Sequence, residues 1–161
     1  MGPDGRRQIR LPDYDYTSQG WYFVTICIAG RRRLLASVRN DRLVPTAAGG
    51  IVERTWREMP DHFYGVRLDA FVVMPDHLHG IVVLEGDDDN APPALSTVVG
   101  SFKSAATRLI RRECGIAGRL WQRSFFDHVI RSRKGYEEIR WYIEDNPRRW
   151  LEKRTPSHSN V

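Results

Sequence analysis

Residues 71–84 read FVVMPDHLHGIVVL, an apolar run with two histidines, His77 and His79, set one residue apart. Pro75 and Asp76 divide it, so it reads as two strands, VRLDAFVVM (66–74) and HLHGIVVLE (77–85), joined by a tight turn. Side chains at i and i+2 of a strand point to the same face. His77 and His79 therefore stand side by side, and Leu78 points into the opposite layer. Two readings are open at this point: a chelating pair that needs a third ligand, or two histidines on the wet face of a half-exposed strand.

Working outward, WYFVTICIA (21–29) is rich in aromatic and β-branched residues and forms a first main strand. After Arg31, Arg32 and Arg33, the runs LLASV and RLVPT form a small hairpin about Arg39, Asn40 and Asp41. Thr46 caps a helix that reaches about His62, with Ile51, Val52, Trp56 and Met59 on one face. The acidic, breaker-rich segment GDDDNAPP (86–93) is a connection. A basic helix follows over about Ser96–Cys114, then a fourth main strand around FFDHVIR, then a helix from Ser132 that Pro147 interrupts or ends. The order strand, helix, strand, strand, helix, strand predicts a ferredoxin-like α+β sandwich: an antiparallel sheet with helices on one face and a C-terminal helix appended.

The totals agree with one domain over 1–161, its core at about 10–152 and a frayed tail at 156–161. Hydrophobic residues make up 41% and charged residues 28%, as in ordinary globular proteins. No stretch matches a membrane helix or a signal peptide, so no membrane partner is expected; the cysteine usage makes a reduced cytoplasmic chain the simpler view, nucleoid-associated if its partner is DNA. Cys27 and Cys114 make no metal or disulfide pattern. Charge is unevenly spread: residues 100–155 hold 14 Lys/Arg against 7 Asp/Glu, within a formal net charge of +5 for the whole chain. That basic half predicts a polyanionic partner, nucleic acid first.

The appended helix supplies what the histidine pair lacks. In WYIEDNPRRW, Tyr142 and Asn146 lie one turn apart on one face. Tyr142 carries a phenolic oxygen able to attack phosphorus and hold it covalently. Asn146 carries a neutral carbonyl oxygen suited to a hard divalent ion. Taken singly, a tyrosine here is a packing residue and an asparagine before proline a helix end; their occurrence together with the histidine strand favours a site.

These segments resemble a known family. MPDHLHGIVV is similar to the His-hydrophobic-His strand of the HUH endonuclease superfamily, and WYIEDNPRRW to the tyrosine helix of its single-tyrosine transposases. LPDYDYTSQGWYFVTICIAGRR, LDAFVVMPDHLHGIVVL, VGSFKSAATRLIRR, LWQRSFFDHVIR and YIEDNPRRW occur in the order seen in REP-associated tyrosine transposases. The resemblance spans about residues 10–152. It implies a metal-dependent endonuclease and strand transferase acting on single-stranded, hairpin-forming DNA of the repetitive extragenic palindrome kind, as a monomer or homodimer. His77, His79 and Asn146 match the metal ligands and Tyr142 the nucleophile. The expected ion is Mg²⁺ or Mn²⁺, which phosphate and amide oxygens favour over zinc.

For DNA, the candidate phosphate contacts are Lys103, Arg108, Arg111 and Arg112 on the basic helix and Arg131, Arg133 and Lys134 before the tyrosine. GWYF (20–23) resembles a stretch that reads single-stranded bases, with Trp21 and Tyr22 as stacking candidates; alternation requires that at least one of these aromatics belong to the core. Asp76 is either an orienting partner for a histidine or a turn residue. His128, beside Asp127, is expected to be structural or to support the ligands. Tyr136, the rival nucleophile, reads as packing, and Glu138 and Asp145 either touch the ion or are solvated. His62 and His158 have no motif around them. Two further hypotheses remain: a domesticated module that binds repeat hairpins without cutting, and an unrelated zinc hydrolase, which would explain neither the basic half nor the tyrosine helix.

Overall fold

The computed structural model describes residues 19–154. The expected core residues 10–18, the tail at 156–161 and His158 lie outside the described residues. The main sheet contains β1 (Gly20–Cys27), β4 (Val66–Val73), β5 (His77–Leu84) and β6 (Phe126–Ile130), and β2 (Ala36–Arg39) and β3 (Arg42–Pro45) form the separate hairpin. The helices are α1 (Ala47–Arg57), α2 (Met59–His62), α3 (Leu95–Cys114) and α4 (Arg133–Arg154). The strand order is β4-β5-β1-β6, and every neighbouring pair is antiparallel. With the hairpin set aside, this is the ferredoxin-like order expected from the succession of elements.

Alternation along the central strands divides the molecule into two layers. Tyr22, Val24 and Ile26 of β1 and Leu78, Val82 and Leu84 of β5 face a large core closed by Ile51, Val52 and Trp56 of α1 and Val98, Val99, Phe102 and Ala106 of α3. Trp21, Phe23, Ile81 and Val83 face the other way, into a smaller cluster with Tyr136, Ile139 and Ile143 of α4. Their spacing of three and four residues forms one helical stripe. Helices α1 and α3 therefore cover one face, and α4 alone lies on the face of the histidines. Between the layers, Gly80 lets the sheet approach Trp56: a Cβ there would meet Cζ2 of the indole at 2.7 Å.

Two helix boundaries differ from expectation. The helix that Thr46 caps, with its side chain accepting from the Gly49 N–H, stops at Arg57 and restarts as α2. Pro60 has no N–H to give the Trp56 carbonyl, so the ladder breaks there. Pro147, in contrast, neither ends nor divides α4, which runs on to Arg154. One backbone bond is missing, and ion pairs from Asp145 to Arg148 and Arg149 and from Arg148 to Glu152 bridge the turns around it. Among the described residues, no helix is long and apolar enough to cross a membrane.

Candidate active site

His77 and His79 are both buried, so they are not the solvent-facing pair of the second reading. Antiparallel pairing sets Cys27 of β1 opposite His77 and Thr25 opposite His79. Thr25 Oγ1 lies 2.8 Å from Nδ1 of His79. Nδ1 of His77 lies 2.6 Å from Oδ1 of Asp76, whose Oδ2 accepts from Nε of Arg31 at 3.0 Å. Asp76 is buried, so it is an orienting residue and not simply part of the turn. Burial pushes its carboxyl up, but the hydrogen bond and charge of His77, with the Arg31 guanidinium, hold it below the usual carboxylate range. An ionised carboxylate only accepts, so Nδ1 of His77 bears a proton, and in the neutral ring its Nε2 presents the lone pair.

Nε2 of His77 and Nε2 of His79 converge to 2.9 Å. In one tautomer of His79 two lone pairs face each other, an arrangement that a cation between them satisfies; in the other, a proton bridges them. Two imidazole nitrogens this close could both reach one small divalent ion. Burial, with the neighbouring charges of His77 and Arg31, depresses His79 to about 3, so its imidazole is neutral and able to ligate near pH 7. The pair therefore fits a divalent ion. Among the described residues, no cluster of three His, Cys, Asp or Glu forms, so among them a third protein ligand would be of another kind.

Helix α4 brings that residue type to the same face. Asn146 is buried one turn beyond Tyr142, and its Nδ2 donates to the Tyr142 carbonyl at 3.4 Å, a bond that does not use its Oδ1. Tyr142 is 37% exposed, with its ring edge-on to His79 at 5.4 Å between centroids and to Phe23 at 6.2 Å. Tyr136 is occupied elsewhere: its hydroxyl donates to Asp69 at 3.0 Å, accepts from Arg140, and its ring packs edge-on against Trp21. Asp145 is taken by Arg148 and Arg149, whose hydrogen bonds and charges hold its carboxyl below the usual range. Glu138 pairs at 4.0 Å with Lys134, and His128 is exposed on edge strand β6, opposite Phe23.

The expected DNA contacts separate into groups. Arg108, Arg111 and Arg112 line a shallow depression of about 690 Å³ on the outer side of α3, across the sheet from the histidines. Lys103 borders it, but its Nζ is half-buried and donates to the carbonyls of Gln122 and Ser124; burial lowers its pKa. It ties α3 to the segment before β6, which sets it apart from the exposed arginines. Arg131, Arg133 and Lys134 are exposed where α4 begins, Arg133 paired with Glu137. Trp21 is half-buried under Arg67 and beside Tyr136. Tyr22 is instead fully buried in the larger core, so the expectation that it stacks on a base is corrected: it is the core member that alternation requires.

Sequence reasoning missed Thr25, Arg31, Trp141 and Arg149. The first two reach the site through strand pairing and through a left-handed residue, Arg31 at φ 55°, neither visible in one strand's pattern. Trp141 and Arg149 had a usable signal, because Arg149 follows Tyr142 by two helical turns and shares its face.

The chain is similar to known proteins over most of its length. Residues 18–146 match the family described as Transposase IS200 like. A protein of Haemophilus influenzae called only an uncharacterized protein is 33% identical, over 90% of this chain and 89% of its own. The REP-associated tyrosine transposase of Escherichia coli K12 is 30% identical, over 82% and 68%. A solved REP-associated tyrosine transposase bound to a REP hairpin superposes with a TM-score of 0.65 at 24% identity, over 88% of this chain and 74% of the other.

Proposed function

The chain belongs to the IS200-like transposase family, among the REP-associated tyrosine transposases, and from that membership we propose that it cuts and rejoins single-stranded DNA beside hairpin-forming repeats through a phosphotyrosine at Tyr142. The observation that carries this reading is the placement of Tyr142 on a helix crossing the histidine face, its ring edge-on to His79. The relative solved with a REP hairpin supports hairpin DNA as the substrate class.

In this reading, the Tyr142 oxygen attacks the scissile phosphorus and forms an O–P bond as the bond from phosphorus to the 3′ oxygen breaks. The phenolic proton passes to solvent, and the departing 3′ oxygen takes one up as a 3′-OH. The 5′ phosphate stays on the tyrosine as a diester, so a later 3′-OH can attack it and rejoin strands without further energy input. His77, His79 and Asn146 would hold the ion, Mg²⁺ or Mn²⁺, whose charge polarises the phosphate when it is bound. Asp76 and Thr25 keep both imidazoles turned toward it. Phe23 and His79 fix the tyrosine ring from two sides.

The test is a denaturing gel of the protein incubated with Mn²⁺ and labelled hairpin oligonucleotides bearing single-stranded flanks, drawn from repeats near the gene. A covalent protein–DNA species with a 5′-phosphotyrosine link is expected. Tight hairpin binding with no such species would overturn the reading and leave the binding module in its place.

A further inference from the structure

Beside Tyr142, two side chains that the reaction above does not use form a surface with a definite polarity. Trp141 is 54% exposed, and with Tyr142, Glu137 and Glu138 it lines an open depression of about 480 Å³. The guanidinium carbon of Arg149 lies 5.0 Å from the Trp141 ring centre and 5.7 Å from that of Tyr142. Asp145 fixes it by accepting from Nε at 3.0 Å, which leaves the two terminal nitrogens with no protein acceptor among the described residues. An exposed indole beside a fixed, partly unspent guanidinium is a pairing suited to a flat aromatic group joined to an anion.

We propose that Trp141 and Arg149 form the cradle for the nucleotide next to the cut, its base stacked on the indole and its phosphate on the terminal nitrogens of Arg149. This rests on the reading of Tyr142 as nucleophile. The two ends are not interchangeable. The unspent terminal nitrogens of Arg149 mark the end for the phosphate, so the base occupies the depression that Trp141 lines with Glu137 and Glu138. Stacking tolerates any base, so the cradle orders the strand at the cut and leaves the choice of sequence to the hairpin.

The test measures binding of 5′-fluorescein-labelled dT12 by anisotropy in EDTA, so that no chemistry is needed, at several salt concentrations. Trp141→Ala weakens affinity about tenfold and Trp141→Phe keeps most of it. Arg149→Gln makes the slope of log K against log salt shallower by about 0.7, the share of one phosphate contact on a single strand. Arg140→Gln, an equal loss of charge on the same helix, leaves the slope unchanged. Wild-type affinity and slope in both Trp141→Ala and Arg149→Gln, or an equal change in Arg140→Gln, overturn the cradle. The adduct gel on unmodified protein judges the nucleophile separately.

Discussion

Nε2 of His77 lies 2.9 Å from Nε2 of His79, while Asp76 and Thr25 hold the opposite nitrogens of the two rings. Under the proposed function these two donors would serve one ion, and losing either should remove binding of the ion, not merely weaken it. His77→Ala and His79→Ala are expected to abolish Mn²⁺ binding in calorimetry, and cleavage with it, while hairpin binding persists. Asp76→Asn, which weakens the hold on one ring, should cost about 10- to 100-fold in Mn²⁺ affinity. Retention of metal-dependent cutting by the double alanine variant would show the pair to be structural.

Tyr142 and Tyr136 share α4 but are about 120° apart around its axis, and the structure commits the Tyr136 hydroxyl to Asp69 and Arg140. Tyr142→Phe should eliminate the covalent species on the denaturing gel while keeping the ring packing. Tyr136→Phe should retain it, with at most about 1–1.5 kcal/mol of stability lost with the part-buried hydrogen bond. The reverse pattern would transfer the role to Tyr136.

Arginines 108, 111 and 112 stand together on α3, and Arg131, Arg133 and Lys134 stand where α4 begins. Neutralising several phosphates in this way makes affinity fall by about 10³-fold between low and moderate salt. Fluorescence titration with a flanked hairpin measures that slope, and a blunt duplex of equal length should bind more weakly. A flat titration counts against a phosphate-binding surface.

The neutral state of His79 has a cost in acid. Burial depresses its folded-state pKa from 6.5 to about 3, so below the unfolded value the unfolded chain binds a proton that the fold excludes. Stability in EDTA should therefore be full above about pH 6.5 and decline toward pH 3, by up to about 1.4 kcal/mol per pH unit from this group. The groups in contact with it are His77, Thr25, Phe23 and Tyr142, with Arg31 and Asp76 adding charge. Urea melts at pH 7 and 5 should differ more for wild type than for His79→Gln; equal differences would mean that His79 is not the group responsible.

Much of the site was legible because it rests on local periodicity. The two-residue period of β5 put His77 and His79 on one face, and the four-residue interval from Tyr142 to Asn146 put those two together. The hydroxyl of Thr46 and the proline at position 60 marked helix ends, although only the first was used. What escaped depends on contacts across the chain. Thr25 matters because β1 pairs with β5 in one register, and Lys103 folds inward because two carbonyls some twenty residues later receive it. Pro147 misled because the proline removes one bond without ending the helix, and Asp145 pairs with Arg148 and Arg149 across it.

Gly80, next to His79 in the sequence, faces Trp56 where no Cβ has room. Trp56 is fully buried and meets Phe102 edge-on at 5.1 Å, so it has little freedom to give way. Gly80→Ala should cost about 1–3 kcal/mol through overpacking and lower Tm by about 2–4 °C for each kcal/mol. Calorimetry checks it; an unchanged Tm would mean that the indole moves more easily than its packing implies.

The layer beneath α4 is thin: Ile143 is the one fully buried apolar side chain that α4 contributes, and it meets Ile81 and Val83 with a few half-covered neighbours. The histidines are seated on strands that the larger core holds from the other side, whereas the tyrosine rides on an element with far less apolar area under it. Durability of the scaffold and assembly of the reactive centre are thus separate quantities in this chain. Ile143→Ala is therefore expected to loosen α4 more than the sheet, so under the proposed function a thermal denaturation curve taken alone would report a sound protein in which the tyrosine and the histidines no longer meet.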